Sequence, residues 1–159
     1  MKKSYIILAA VLALAGILFF VLSSNRTSGL DTLNSFDGDI KIYKSGSCGC
    51  CSVFSNYFQN KGNSEAEIVT MDSIEEIKSR YEIPSAMESC HTTIVGDYFV
   101  EGHVPVEAVE KLLNEKPNIS GIAMPGMPSG APGMPGVKSG DFIVYSVNED
   151  GSYQEFMRI

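Results

Sequence analysis

Basic residues are scarce in this chain. Its 12 lysines and arginines face 19 aspartates and glutamates, which gives a net charge of −7 at pH 7. A nucleic-acid-binding domain usually presents a basic surface, so this balance excludes nucleic acid as the partner. The sequence also has no Ser-His-Asp arrangement and no phosphate-binding loop. It therefore gives no support to a triad hydrolase or a nucleotide-dependent enzyme.

Cysteine and histidine are also few, but they are concentrated. The chain has four cysteines and two histidines. Three of the cysteines fall within the motif Cys48-Gly49-Cys50-Cys51, and the fourth, Cys90, is followed directly by His91. Thiolates are the soft ligands that select Cu(I), zinc and iron–sulfur clusters. The question is therefore whether these sulfurs hold metal, transfer electrons or cross-link the domain.

The longest apolar run lies near the N-terminus. Lys2 and Lys3 precede the 18 uncharged residues of Tyr5–Leu22. The core of a cleaved signal peptide usually has about 7–15 residues, and a membrane-spanning helix needs about 17–25. No clear cleavage site follows, so we predict an uncleaved signal anchor over residues 1–24, with a cleaved signal peptide as the alternative. The basic end stays in the cytoplasm. The rest of the chain then lies on the extracytoplasmic side of the inner membrane, in the periplasm or at the cell surface.

Two regions follow this segment. Residues 25–37 are rich in Ser, Asn, Thr, Gly and Asp, which predicts a flexible tether. Residues 38–159 are predicted to form one α/β domain, in the order strand–helix–strand–helix–strand–strand–helix with the first cysteines at the first strand-to-helix turn. This order is similar to the thioredoxin fold, in which the loop before the third strand packs against the redox motif. That fold would bring Cys90 close to the other three cysteines.

A stretch rich in Met, Pro and Gly follows the last helix. Gly121–Gly136 is predicted to be irregular, and Met124, Met127 and Met134 sit on its turns. Methionine often fills cores, but these three have no helical or strand period, and thioethers favour Cu(I). All three are therefore candidate copper ligands. Beyond them, Asp150-Gly151 between two strand-like segments predicts a terminal β-hairpin.

The spacing of Cys48 and Cys51 is that of a dithiol redox centre. A helix N-terminus lowers the pKa of a thiol, which favours thiol exchange and metal binding alike. The additional Cys50 favours metal, because a third sulfur invites scrambling in an oxidoreductase. Sulfur can also bridge two metals, so adjacent Cys50 and Cys51 suit a multinuclear site. A single zinc ion bound by four cysteines usually uses two separated pairs.

Structural disulfides are a third interpretation. An extracytoplasmic compartment permits oxidation, but bridges 48–50 and 50–51 would be strained, because Cα separations in disulfides rarely fall below about 4.4 Å. One 48–51 or 51–90 bridge is feasible and leaves two free thiols. His91 and His103 are expected at the same end of the sheet as the cysteines. An isolated histidine is more often a surface residue, but copper uses imidazole and sulfur together, so both are candidate ligands.

Four ordered motifs resemble a known family. They are Cys48-Gly49-Cys50-Cys51, Ser89-Cys90-His91-Thr92, Glu101-Gly102-His103-Val104-Pro105 and Met124-Pro125-Gly126-Met127-Pro128, the last followed by Pro132-Gly133-Met134. The same order is typical of a family long catalogued as a domain of unknown function, which includes the CopG-type periplasmic copper-resistance proteins. The resemblance covers about residues 38–147.

This resemblance implies a thioredoxin-like fold and a cysteine-bridged copper cluster in the cell envelope. It further implies a role in copper tolerance, by cycling between Cu(I) and Cu(II). The implied thiolate ligands are Cys48, Cys50, Cys51 and Cys90, and the implied outer ligands are His91, His103 and the loop methionines Met124, Met127 and Met134. Phe54 departs from the family, where relatives often carry Trp, and so does the predicted anchor, because soluble periplasmic members are also expected.

We therefore expect an envelope protein that binds Cu(I), as one or several ions, with zinc as the less favoured metal. Its expected partners are copper ions, another envelope copper-handling protein and, through the N-terminal helix, the membrane. The alternatives are a thiol–disulfide oxidoreductase of exported proteins, with Cys48 as nucleophile, and a passive copper chaperone. Storage, delivery and oxidation of copper all need the same ligands, so the sequence leaves these functions open.

Overall fold

The first strand forms where the sequence alternates between polar and apolar residues. In the computed structural model, which describes residues 29–159, β1 spans Ile40–Ser45 and buries alternate side chains. Ile40 and Ile42 lie in the main hydrophobic core, because successive side chains of a strand point to opposite faces. The cysteine motif begins three residues after β1 ends. The strand therefore fixes the position of the cysteines at one end of the sheet.

The remaining elements form a mixed α/β structure. The strands after β1 are β2 (Glu67–Met71), β3 (His91–Val95), β4 (Tyr98–Glu101), β5 (Gly121–Ala123), β6 (Ile143–Val147) and β7 (Tyr153–Arg158). The helices are α1 (Asp31–Asn34), α2 (Gly49–Lys61), α3 (Glu75–Arg80) and α4 (Val106–Glu115), with a 3-10 turn at Ser85–Met87. The element order predicted from the first strand to the last helix is confirmed by β1 through α4.

One sheet contains all seven strands, in the order β2-β1-β3-β4-β5-β6-β7. Strand β1 pairs in parallel with β2 and antiparallel with β3, and β4 pairs antiparallel with β3 and in parallel with β5. Lys44 of β1 pairs with His91 of β3. This register brings the start of β3, directly after Cys90, to the end of β1 that leads to Cys48.

The main core lies between the sheet and helices α2 and α4. Phe54 and Phe58 of α2 and Val109 and Leu112 of α4 are fully buried there. Burying a side chain of this size contributes about 1.5–3 kcal/mol. A second, smaller cluster, which includes Phe99, is separate from the main core. The packing of α2 holds the helix that begins at the cysteines firmly against the sheet.

The segment expected to be irregular begins with a strand instead. Gly121–Ala123 forms β5, which is fully buried and pairs with both β4 and β6. Backbone pairing on both sides outweighs the low strand propensity of glycine and alanine here. Gly121 suits the position because a β-carbon on it would collide with Phe99. The terminal hairpin is confirmed, with Val147 of β6 opposite Tyr153 of β7.

The last part of the expected tether is structured as well. Asp31–Asn34 forms α1, and Leu33 is fully buried in the main core. The Glu110 carboxylate of α4 accepts hydrogen bonds from the backbone nitrogens of Thr32 and Leu33, at 3.0 and 2.7 Å. The predicted signal anchor at residues 1–24 lies outside the described residues. Within 29–159, no helix is both long enough and apolar enough to cross a bilayer.

Candidate metal centre

The first three cysteines are placed by the start of α2. Cys48 is the N-cap residue of the helix, and its Sγ accepts a hydrogen bond from the backbone nitrogen of Cys51 at 3.3 Å. Cys50 lies in the first turn with its side chain half-buried, and Cys51 points into the protein and is fully buried. The unpaired amides and the dipole at a helix N-terminus favour negative charge, so this position favours thiolates.

The fourth cysteine approaches the same point from the other side. Cys90 precedes β3, and its carbonyl oxygen lies 3.5 Å from Cys51 Sγ. The Sγ atoms of all four cysteines lie within 4.8 Å of one another. The proximity of Cys90 to the cysteine motif, expected from the element order, is therefore confirmed.

Two of the four sulfurs are joined. Cys48 and Cys51 form a disulfide with their Cα atoms 5.3 Å apart, and Cys50 and Cys90 are free thiols. This is one of the two bridges that the sequence allowed. Because metal binds the deprotonated thiolate, the bridged form leaves two sulfurs for a metal, and its reduction makes all four available.

The imidazole of His103 completes a second group of ligand atoms with Cys90 and His91. His103 Nε2 lies 3.1 Å from Cys90 Sγ, and its Nδ1 lies 2.7 Å from the carbonyl oxygen of Pro132. A carbonyl oxygen only accepts, so Nδ1 carries the proton and the lone pair of Nε2 faces the sulfur. Metal-binding histidines usually have their second nitrogen held in this way.

His91 is fully buried beside this group. Its Nδ1 lies 3.4 Å from Cys90 Sγ, and its ring packs against Phe54 and His103, with centroids 4.2 and 4.7 Å away. Burial, followed by the nearby His103, lowers the pKa of His91 to about 3, so the ring is neutral at physiological pH. Its Nε2 has no hydrogen-bond partner, although buried polar atoms normally have one. A neutral, incompletely satisfied imidazole beside a thiol fits a metal site.

The sulfurs also influence one another. Burial, followed by the charge of Cys50, raises the pKa of Cys90 to about 11, so that thiol is protonated at neutral pH in the metal-free protein. A bound cation reverses this effect, because it stabilises the thiolate. Metal binding at Cys90 would therefore release a proton.

Comparison with known proteins adds to this geometry. The family model described as "Protein of unknown function, DUF411" matches residues 87–134, which include Cys90, both histidines and the loop methionines. No curated protein matches the chain in sequence. The chain is similar to a solved structure named copper resistance protein CopG, form 1, with 30% identity and a TM-score of 0.66 over 77% of this chain and 97% of that one. For form 2 the identity is 31% and the TM-score 0.67, over 76% and 97%. The chain belongs to the CopG-type copper-resistance family.

The methionines of this CopG-type protein occupy three different environments. Met124 is 2% exposed and belongs to the main core, Met134 is half-buried against that core, and Met127 is 57% exposed. The loop that bears them contacts the candidate metal centre at Pro132, whose carbonyl oxygen accepts the hydrogen bond from His103. The assignment of the methionines as copper ligands stays a prediction.

Sequence reasoning missed a buried polar network around Ser89, the residue that precedes Cys90. The ammonium of Lys78 in α3 lies 2.5 Å from the Glu101 carboxylate at the end of β4, and both contact Ser89. Glu101 stands within one of the four family motifs, next to Gly102-His103. The available signal was Glu101 itself, a charged residue at the end of a strand of largely apolar side chains. Nothing in the sequence identified Lys78 as its partner.

Proposed function

We propose that this CopG-type protein holds Cu(I) in the cell envelope, as a cysteine-bridged cluster of more than one ion. The observation that carries the proposal is the convergence of four Sγ atoms within 4.8 Å. The Nε2 atom of His103, 3.1 Å from Cys90 Sγ, supplies an imidazole beside them. Thiolate with imidazole suits copper, and three sulfurs from one helical turn favour bridging over a single tetrahedral zinc ion.

A thioredoxin-like core is part of this proposal. The order β2-β1-β3-β4, with one parallel pair at its edge and the C-x-x-C cysteines at the start of α2, supports it. Strands β5 to β7 extend that core, and the loop between β5 and β6 bears the methionines. Beyond the two cysteines of the C-x-x-C spacing, this core carries Cys50, Cys90, two histidines and a loop that lies against α2 at Gly133.

We further propose that copper redox handling is the activity behind copper tolerance. The Cys48–Cys51 disulfide supports this extension. When two thiolates close to a disulfide they release two electrons, which is the number needed to reduce two Cu(II) ions to Cu(I). Cys50, Cys90 and His103 remain available to receive the reduced ions.

The proposed location is the extracytoplasmic side of the inner membrane. It is supported by the apolar run Tyr5–Leu22 after Lys2 and Lys3, which has the length of a signal anchor. A copper-handling partner in the envelope would then deliver or remove the ions. Fractionation of cells, with detection of the full-length protein by its mass, tests the location and the retention of the anchor together.

The deciding experiment is an anaerobic Cu(I) titration of the reduced full-length protein, followed by metal analysis after desalting. We expect more than one copper per chain, and fewer in Cys50→Ser. A protein that retains no copper would overturn the proposal. Equal loading of wild type and Cys50→Ser would overturn the bridged cluster but not copper binding.

A thiol–disulfide oxidoreductase is the second candidate, favoured by the same Cys48–Cys51 disulfide. Half-buried Cys48 would attack a client, and fully buried Cys51 would resolve the mixed disulfide. This function predicts disulfide exchange without metal and tolerance of Cys50→Ser. A passive chaperone differs from both, because it predicts copper binding with no change in oxidation state.

A further inference from the structure

A buried ion pair contacts the chain segment that contains Cys90. Lys78 Nζ and Glu101 Oε1 are 2.5 Å apart, and their side chains are 4% and 0% exposed. A buried ion pair adds little net stability in general, because the free energy of removing both charges from water offsets their attraction. The contacts that this pair makes indicate a different role.

The pair holds the residue that precedes Cys90. Glu101 Oε1 accepts a hydrogen bond from the backbone nitrogen of Ser89 at 2.6 Å, and Lys78 Nζ donates to the carbonyl oxygen of Ser89 at 2.6 Å. The hydroxyl of Ser89 donates to the carbonyl oxygen of Gly126 at 2.7 Å. All three polar groups of Ser89 are thus fixed, by α3, by β4 and by the loop that bears the methionines.

The same carboxylate also holds the chain after Cys90 and His91. Glu101 Oε2 accepts a hydrogen bond from the Thr92 hydroxyl at 2.6 Å. The backbone nitrogen of Gly102, the next residue, donates to the carbonyl oxygen of His91 at 3.0 Å. Glu101 therefore binds the chain on both sides of the two candidate ligands, and Lys78 balances its charge.

We propose that Lys78 and Glu101 are positioning residues, which hold Cys90 and His91 opposite the cysteines of α2 before any metal binds. This inference rests on the proposed function in one respect, that Cys90 is a copper ligand. Ordering a ligand in advance reduces the entropy lost on binding. Loss of a group that orients a ligand typically weakens metal binding by about 10- to 100-fold.

Two variants test the pair. In Glu101→Gln the contacts with Ser89 and Thr92 become neutral hydrogen bonds, which are about half as strong as those to a carboxylate. Lys78 then keeps only the partly exposed Glu88, 3.9 Å away, as its counter-charge. The double variant Lys78→Met/Glu101→Gln removes both charges and leaves no unpaired buried ion. The matched control is Glu110→Gln, because Glu110 is another mostly buried carboxylate that accepts two backbone hydrogen bonds, from Thr32 and Leu33.

The first readout is Cu(I) competition between the reduced full-length protein and a chromophoric chelator, with the Cu(I)–thiolate absorption spectrum recorded at saturation. We expect both Glu101 variants to bind about 10- to 100-fold more weakly, with a changed spectrum, and Glu110→Gln to match wild type. Wild-type affinity and spectrum in folded Glu101 variants would overturn the inference. If these variants do not fold, Thr92→Val replaces them, because it removes only the hydrogen bond between Thr92 and Glu101. A smaller loss of Cu(I) affinity in Thr92→Val would support the inference, and wild-type affinity would overturn it.

The second readout needs no copper. In the oxidised full-length protein the free Cys50 and Cys90 thiols lie within 4.8 Å of each other. Phenylarsine oxide bridges two such thiols by forming two As–S bonds and releasing one water. We expect rapid bridging in wild type and Glu110→Gln, and bridging at least about tenfold slower in both Glu101 variants. Equal rates in wild type and the Glu101 variants would overturn positioning. Slow bridging in the Glu101 variants, together with a wild-type protein that retains no copper, would support positioning and refute the proposed function.

Discussion

Gly133 lies so close to α2 that a β-carbon on it would be 2.9 Å from the carbonyl oxygen of Cys50. The same β-carbon would be 2.7 Å from the backbone nitrogen of Phe54. Gly133 also has a φ of +81°, in the region that favours glycine. The loop between β5 and β6 therefore rests on the cysteine-bearing helix at a residue that has no side chain.

We predict that Gly133→Ala separates this loop from the metal centre. The added methyl group meets backbone atoms of α2, which cannot rotate away as a side chain can. Transfer of Cu(I) from the loaded protein to a chelator should be several-fold faster, as measured by stopped-flow absorption. Gly140→Ala is the control, because Gly140 lies in the same loop and has a φ of +82° but no atom within 4 Å of its would-be β-carbon. Equal acceleration in both variants would assign the effect to backbone strain alone.

Each cysteine variant should reduce copper loading. Replacing Cys48, Cys51 or Cys90 by Ser exchanges a soft sulfur for a hard oxygen, which binds Cu(I) poorly. We expect fewer copper ions per chain in each variant, measured by metal analysis after anaerobic loading and desalting. Asn56→Ala, at an exposed position of α2, should load like wild type. Unchanged loading in all three cysteine variants would contradict the cluster.

The oxidation state of the protein should control its copper capacity. The Cys48–Cys51 disulfide removes two of the four thiols, and a disulfide sulfur is a poor substitute for a thiolate ligand. Oxidised protein should bind fewer Cu(I) ions than reduced protein, and treatment with a phosphine reductant should restore the full copper capacity. The check is a parallel titration of both forms, with free thiols counted beforehand. Identical capacity would show that Cys48 and Cys51 are not needed as ligands.

The metal-free protein should lose stability in acid through His91. Burial lowers the pKa of His91 to about 3 in the folded state, whereas the unfolded chain has a value near 6.5. Only the unfolded state binds this proton between those values, so the stabilising contribution is complete above about pH 6.5 and is lost as the pH falls toward 3. Between pH 6.5 and 4.5 the free energy of unfolding should fall by about 2 kcal/mol from this group.

Urea unfolding of the metal-free protein at a series of pH values measures this effect. In His91→Gln the decrease below pH 6.5 should be shallower by the same amount, because the titrating group is gone. A parallel decrease in the two proteins would mean that other buried groups, such as His103, whose pKa burial also lowers, account for the acid sensitivity.

The sequence predicted those features that depend on local pattern. The alternation of polar and apolar residues in Asp39–Tyr43 and the helical spacing after the cysteine motif are readable within a few residues, and the element order then indicated where Cys90 must lie. Strand β5 was missed because it has only three residues, two of which, Gly121 and Ala123, have low strand propensity. The pairing with β4 and β6 forms it nonetheless. The Lys78–Glu101 pair joins residues 23 positions apart, and only the folded packing of α3 against β4 brings them together.

The docking of α1 on Glu110 would limit the distance between the candidate metal centre and the proposed membrane anchor. Thr32 and Leu33 are hydrogen-bonded to α4, and Leu30 packs against the main core. An anchor that ends at residue 24 would therefore leave only residues 25–29 between it and the domain. Five residues reach at most about 18 Å when fully extended, which is less than the diameter of a small domain. A link this short would hold the domain close to the membrane surface.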